Sequence, residues 1–226
     1  EQAMQYELKT QIIEPTRPTF DHLVARYGNK PATRYQEGTI DLQPTENFHY
    51  RPTWDPEHEL YDPEYSAFKL TDPYSFLDPR QYYYTPYVTN RAQMHEAFGK
   101  TLEYVADHDL FGRTPQAWKT LIGEIVIPLR HYEAGCQMLF SGAARFAYGA
   151  TIAPCCSFEG FDRIGNAQLI SRVGITLGEQ TASVLNSAKQ LWMDAPSWQP
   201  LRRYIEEALV ESDWAVGVIA VDLVDK

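Results

Sequence analysis

The chain has 226 residues and a formal net charge of −10, and 44% of its residues are hydrophobic. This length can bury one sizeable core, and the lack of a Lys/Arg cluster excludes the basic face that nucleic-acid phosphates require. No apolar run reaches the ~18 residues of a membrane span, and no basic-then-apolar leader opens the sequence, so we expect a cytoplasmic protein without membrane contact.

The first 90 residues differ from the rest in composition. They contain ten of the 15 prolines and 11 of the 15 tyrosines. Asp-Pro pairs recur at Asp55, Asp62, Asp72 and Asp78, and each predicts a single helical turn, because Asp caps a helix and Pro is favoured at its first position. We therefore predict that residues 1–81 form a long extended arm with short helical turns.

The aromatic rings of this arm need a surface to cover them, because an extended segment cannot bury so much apolar area against itself. Tyr and Trp suit interfaces, where an apolar ring packs and a polar tip stays hydrated. The chain's own bundle and a partner protein remain alternative surfaces. The candidates for a partner interface are Tyr50, Trp54, Tyr61, Tyr82, Tyr83 and Tyr84.

From residue 82 onward, apolar residues recur every three or four positions, which is the spacing of one helix face. Residues 82–226 are therefore predicted to form an all-α bundle. Its helices are expected over about 82–111, 114–146 with a kink at Pro128, 152–177 and 182–193, with a last one from near Ser197.

A ferritin-like di-iron site takes a Glu-x-x-His pair from each of two helices, together with further inward carboxylates. On the second long helix the corresponding pair is Glu133-x-x-Cys136. On the last helix it is Glu211-x-x-Trp214, whose indole cannot bind a metal. The pair Glu46-x-x-His49 lies in the arm between prolines, where helical stacking is not expected. We therefore predict no metal site and no catalytic residue in this chain.

The remaining chemical candidates are interpreted as structural. The three cysteines, Cys136, Cys155 and Cys156, form no C-x-x-C pair and are expected to be small buried side chains. His131 is expected to be hydrogen-bonded or solvated, and no nucleophile elbow, P-loop or dinucleotide fingerprint is present in the sequence.

Several unusual strings resemble one protein family. They are Phe-His-Tyr-Arg-Pro-Thr-Trp-Asp-Pro at 48–56, Asp-Pro-Arg-Gln-Tyr-Tyr-Tyr at 78–84, Pro-Leu-Arg at 128–130, Trp-Gln-Pro-Leu-Arg-Arg-Tyr at 198–204 and Asp-Trp at 213–214. Together they resemble the β subunit of bacterial multicomponent phenol hydroxylases and, more distantly, the β subunits of toluene and methane monooxygenases. The likeness extends from about Arg26 to the end of the chain.

This resemblance implies a ferritin-like bundle and a non-catalytic role in a soluble monooxygenase that hydroxylates phenol or related aromatics with O2 and NADH-derived electrons. In such hydroxylases the α subunit holds the di-iron centre. The β subunit shares the fold without the ligands, and a small γ subunit completes an α2β2γ2 assembly. A reductase and an effector protein serve it. Family β chains continue past the point where this sequence stops, so we expect it to be a fragment of a longer subunit.

Two alternatives remain open from the sequence. One is a self-contained ferritin-like di-metal oxidase that uses Glu103, Glu133, Glu159 and Glu211 without histidine. The other is a helical interaction protein unconnected with oxygenation.

Overall fold

The computed structural model describes residues 19–41, 62, 64–72 and 76–225. These residues form helices and loops with no β-strand among them, which confirms the all-α prediction. None of the helices in these ranges is both long and apolar enough to cross a membrane. In chain order they are α1 (Asp21–Tyr27), α2 (Arg34–Thr39), α3 (Tyr84–Asp107), α4 (Leu110–Arg113), α5 (Gln116–Leu121), α6 (Leu129–Phe146), α7 (Ala153–Leu177), α8 (Ser183–Asp194), α9 (Gln199–Leu209) and α10 (Trp214–Val224).

The arm contains a small core of its own, formed by α1 and α2. Leu23 and Ile40 are almost fully buried against each other. Helix α2 begins with a capping box, in which Thr33 accepts a hydrogen bond from the N–H of Gln36 and the Gln36 side chain accepts one from the N–H of Thr33. The boundary between arm and bundle at residue 81 stays a prediction.

Asp78–Pro79 is the Asp-Pro pair of which both residues are described, and it starts a hydrogen-bonded turn and not a full helical turn. Asp78 is buried and accepts hydrogen bonds from the N–H groups of Arg80 and Tyr82, while the Asp78 carbonyl accepts from Gln81. Asp62 caps a turn in the same way through the N–H of Glu64. Asp55 and the prolines after Asp62 and Asp72 lie outside the described residues.

The largest buried cluster is formed by residues of α6, α8, α9 and α10, and α7 packs along α6 beside it. Helices α6 and α7 form a long antiparallel pair, and α9 crosses α6 closely at Gly135. A Cβ at Gly135 would lie 2.6 Å from Cγ1 of Ile205, so only glycine permits this approach. The buried residues of this core are Tyr132, Cys136, Leu139, Phe140, Trp192, Ile205 and Val221.

The predicted kink at Pro128 is a break in the second long helix. Residues Ile122–Val126 form a π-helical turn, and α6 begins only after the proline. Pro128 has no N–H to donate to the carbonyl of Glu124, four residues earlier. The indole of Trp198 supplies that hydrogen bond instead, with Nε1 3.2 Å from the carbonyl oxygen.

The prediction of one last helix from Ser197 is wrong, because two helices occupy this region. Helix α9 ends at Leu209, and α10 begins after Asp213. The Asp213 side chain accepts from the N–H groups of Ala215 and Val216, which starts a new helix. An aspartate that follows a serine was a capping signal that the apolar periodicity concealed.

Candidate functional site: the ion cluster between α6, α7 and α10

Glu133 and Cys136 lie on α6 and face different surroundings. Cys136 is fully buried in the core, beside Tyr132 and Leu139, which confirms its interpretation as a small core residue. Glu133 faces α7, where it accepts hydrogen bonds from Arg163 and Asn166. The two side chains therefore do not form half of a metal site.

Arg163 of α7 is the centre of a buried ion cluster. Its guanidinium group contacts Glu133 of α6 at 3.4 Å, and Glu159 one turn earlier on α7 at 2.8 Å. A third contact joins it to Asp225, directly after α10. Only 11% of the Arg163 side chain is exposed. Three helices thus meet through one cation.

The charges of this cluster affect the acid–base behaviour of its members. Burial raises the pKa of Glu133 although Arg163 opposes this shift. Burial acts to lower the pKa of Arg163, but Glu133, Glu159 and Asp225 together raise it above its ordinary value. Burial and a hydrogen bond to Asp225 raise the pKa of Tyr132. The guanidinium therefore stays charged, which the three carboxylates require.

A second ion pair joins α3 to α7. Asp162 accepts two hydrogen bonds from the guanidinium of Arg91 and one from the hydroxyl of Tyr87, whose oxygen lies 2.9 Å away. The Tyr87 ring stacks on Phe158 with centroids 4.3 Å apart. Between this pair and the Arg163 cluster lies a cleft of about 480 Å³, which His95 and Asn166 also border.

The donor set does not fit a di-iron centre. None of the described helices carries Glu-x-x-His, and with Arg163 in place no group of three or more His, Cys, Asp or Glu side chains in these ranges is arranged to hold a metal ion. Glu133 and Glu159 meet at Arg163, but Glu103 and Glu211 are exposed elsewhere. The structure therefore does not assemble the four carboxylates of the oxidase alternative. Glu46 and His49 lie outside the described residues.

The six residues proposed for the interface, five tyrosines and Trp54, fall into three groups in the structure. Tyr50, Trp54 and Tyr61 lie outside the described residues. Tyr82 is half-buried, with Arg80 over one face of its ring and Tyr87 at its edge. Tyr83 and Tyr84, at the start of α3, are 37% and 71% exposed.

The arm is also attached to its own bundle. The second carboxylate oxygen of Asp213 accepts from Ser66 Oγ and from the N–H of Ala67, at 3.1 and 2.7 Å. Tyr65 stacks on Phe146 with centroids 4.9 Å apart. Phe68 and Leu70 nevertheless remain more than half exposed. The chain's own bundle therefore covers part of the arm, and a partner surface for the rest stays a prediction.

The cysteines are predicted to react slowly in the folded protein. Burial raises the pKa of Cys136 and Cys156 to about 12 and that of Cys155 to about 11. Such shifts lower the thiolate fraction roughly a hundredfold or more. A neutral maleimide should label the native chain at least about tenfold more slowly than the unfolded chain, and mass spectrometry of the digest should find Cys155 labelled first. Labelling of Cys136 as fast as in the unfolded chain would contradict this.

Two parts of the cluster were not predicted. Arg163 follows Glu159 at the i, i+4 spacing of a helical ion pair, which was a weak signal. Asp225 is 62 residues from Arg163, and only the return of α10 to α7 brings them together. Asp162 and Arg91 also come from separate helices, so no local pattern joins them.

The comparisons with known proteins agree with this fold. Residues 54–226 match the family model described as Methane/Phenol/Alkene Hydroxylase. The oxygenase component DmpL of phenol 2-monooxygenase from Pseudomonas sp. (strain CF600) is 41% identical over 98% of this chain and 67% of its own length. The hydroxylase component small subunit of propane 2-monooxygenase from Mycolicibacterium goodii is 24% identical over 85% of the chain and 54% of its length.

Solved structures give the same result for the fold. A phenol hydroxylase from Pseudomonas sp. OX1 superposes with a TM-score of 0.81 and 38% identity, over 94% of this chain and 65% of that one. A chain of toluene 4-monooxygenase superposes with a TM-score of 0.75 at 20% identity, over 93% and 71%. The chain thus spans about two thirds of the length of the phenol-oxidising relatives it matches. It belongs to the methane/phenol/alkene hydroxylase family.

Proposed function

We propose that this chain belongs to the non-catalytic β subunit of a multicomponent monooxygenase that hydroxylates phenol or a related aromatic with O2 and NADH-derived electrons. One observation carries this proposal. A bundle of the phenol hydroxylase fold has Arg163 among its central carboxylates, and its described helices lack the Glu-x-x-His pairs that would hold iron.

The chemistry is therefore assigned to a partner. A di-iron α subunit would bind the substrate and activate O2, a γ subunit would complete an α2β2γ2 hydroxylase, and an effector protein and a reductase would serve it in the cytoplasm. The names of the relatives support a subunit role, since they describe an oxygenase component and a hydroxylase component small subunit. The role of this chain would be to hold the α subunit in place.

The start of α3 is the described surface that best suits this role. Tyr83 and Tyr84 are adjacent exposed rings, and the helix behind them is fixed to α7 through Arg91 and Asp162. A rigid, exposed pair of aromatic side chains is typical of interface anchors, whose truncation often costs about 2 kcal/mol of association or more. Trp54, outside the described residues, stays a further candidate.

The proposal predicts that Tyr83→Ala/Tyr84→Ala in the full-length subunit weakens its binding to the α subunit by roughly thirtyfold, the equivalent of about 2 kcal/mol. The dissociation constant would be measured by biolayer interferometry, and the turnover of phenol would be measured on complex isolated by gel filtration. Loss of activity should follow loss of complex, because the tyrosines perform no chemistry. Trp54→Ala should behave in the same way.

Tyr104→Ala is the matched control. Tyr104 is 58% exposed on the same helix, but 20 residues of helix rotate it to the opposite side from Tyr84. It should leave the dissociation constant within about twofold of the wild type. If all variants assemble normally while turnover of intact complex collapses, the scaffold proposal is wrong. If a full-length subunit purified without partners oxidises phenol, the assignment of chemistry to the α subunit is wrong.

A further inference from the structure

The inference concerns the position of Arg163 in the bundle. In a ferritin-like metal site, carboxylates from several helices converge on a central cation. Here Glu133 from α6, Glu159 from α7 and Asp225 beyond α10 converge in the same manner, and the cation at their centre is a side chain. The three carboxylates thus surround a cation as metal ligands do, but this cation belongs to the chain itself.

The guanidinium group suits this position chemically. It is planar, permanently charged and carries five N–H donors, so it can satisfy several carboxylates at once, as a metal ion would. In this cluster Nε, Nη1 and Nη2 each contact a different carboxylate. A divalent ion at the same point would have to enter beside a buried positive charge that cannot be deprotonated.

The thiol and the imidazole near this position are poor candidates for metal ligands. The thiol at Cys136, where a histidine would complete the half-site, faces the apolar core. Burial raises its pKa to about 12, which opposes the thiolate form that binds metals. His95 borders the cleft, but its Nε2 packs against Gly165 of α7, 3.4 Å from the position of a Cβ there.

We propose that Arg163 occupies the place of the metal ion and keeps divalent cations out of this bundle. In a hydroxylase with two ferritin-like subunits, such a residue would direct iron to the subunit that uses it. The exclusion itself is a property of this chain and does not depend on the proposed function. Its failure and the failure of the scaffold proposal are therefore separate results, one measured by metal binding and the other by assembly.

The test is a titration of the purified full-length subunit with Mn²⁺, a cation that carboxylate oxygens suit well. Free Mn²⁺ is measured by electron paramagnetic resonance. Arg163→Ser removes the cation and leaves the three carboxylates, so it should bind one Mn²⁺ per chain at least roughly tenfold more tightly than the wild type. Arg163→Lys keeps a positive charge and should exclude Mn²⁺ as the wild type does.

Two controls separate exclusion from a general loss of charge. Arg203→Ser removes an exposed arginine paired with Glu207 on α9 and should leave Mn²⁺ binding unchanged. Arg163→Ser/Glu133→Gln removes one carboxylate as well and should lose the acquired site. Thermal unfolding gives a second readout, because a cation that binds only the folded state raises its stability. Mn²⁺ should raise the Tm of Arg163→Ser and of neither control.

If Arg163→Ser binds Mn²⁺ no better than the wild type, the carboxylates do not surround a cation position and the proposal is wrong. Stoichiometric binding by the wild type with Arg163 present would also overturn it. Should Arg163→Ser fail to fold, Arg163→Gln replaces it in both measurements, since its amide keeps hydrogen-bond donors near Glu159 while removing the charge. The same two outcomes then decide.

Discussion

The variant Asp162→Ala is expected to lower the free energy of unfolding by about 3 kcal/mol, because it leaves a partly buried arginine without its counter-ion. The side chains of Arg91 and Asp162 are 23% and 15% exposed, so solvent would compensate the lost contact only in part. The hydroxyl of Tyr87 would lose its acceptor in the same step. Urea denaturation monitored by circular dichroism measures the change.

The effect should be concentrated in α3. This helix of 24 residues has Tyr87 as its one buried residue, so its attachment to α7 depends on the few side chains around Asp162. Amide hydrogen exchange in α3 should accelerate well before that in α6 and α7. Glu96→Ala is the control, because it breaks an exposed ion pair with Lys100 on the same helix and should leave the urea midpoint almost unchanged. Equal losses in the two variants would contradict this account.

His131 is expected to make the protein sensitive to mild acid. Burial, helped by the positive charges of Arg130 and Lys189, lowers its pKa from 6.5 to about 4. Its Nε2 is buried and has no hydrogen-bond partner in the described part of the chain, so this nitrogen is neither hydrogen-bonded nor solvated as the sequence predicted. The ring stacks beside Trp192 with centroids 5.9 Å apart. Protonation of this imidazole in the folded protein is therefore unfavourable.

The direction of the pH effect follows from these values. Between pH 6.5 and about 4 the unfolded chain binds a proton at His131 that the folded chain does not, so stability falls as the pH is lowered through this window. The loss should approach about 2–3 kcal/mol at pH 4. His131→Phe keeps an aromatic ring against Trp192 and should remove most of this dependence. Urea midpoints at pH 7, 6, 5 and 4.5 provide the measurement.

Asp213 provides an internal comparison at lower pH. Burial acts to raise the pKa of this carboxyl, but the donors from Ala67, Ser66 and α10 hold it below 3.8. Its contribution to stability is therefore present above that pH and lost only below it. Acid unfolding that begins near pH 6 thus reports His131, and identical profiles for the wild type and His131→Phe would refute the assignment.

The helices were predictable from the sequence to the extent that their signals were local. The apolar spacing predicted α7 and α8 within about a residue of the observed bounds, and Pro128 indicated where the second long helix would break. The same apolar spacing also predicted burial for residues that are exposed. Trp118 and Ile125 continue the stripe of α6 in sequence, but the π-helical turn at Ile122–Val126, which contains Ile125, shifts the helical phase. Both side chains are more than half exposed.

The ion cluster was beyond prediction for a physical reason. Its members lie up to 93 residues apart in the sequence, as Tyr132 and Asp225 do. Charged side chains also carry no periodic signal that identifies their partners. The sequence did predict that Glu133 would lack a histidine neighbour and that Cys136 would be core. The position of Arg163 among the three carboxylates depends on how α7 and α10 pack, which no local sequence pattern reveals.

Each end of α10 carries a carboxylate that also contacts another part of the chain. At its start, Asp213 shares its two oxygens between the first turn of the helix and the backbone of the arm at Ala67. At its end, Asp225 reaches Arg163. An 11-residue helix is a stiff rod of about 16 Å. A partner that displaces the arm near Ala67 should therefore also move α10. Through Asp225, that movement would reach the Arg163 cluster at the other end of the helix.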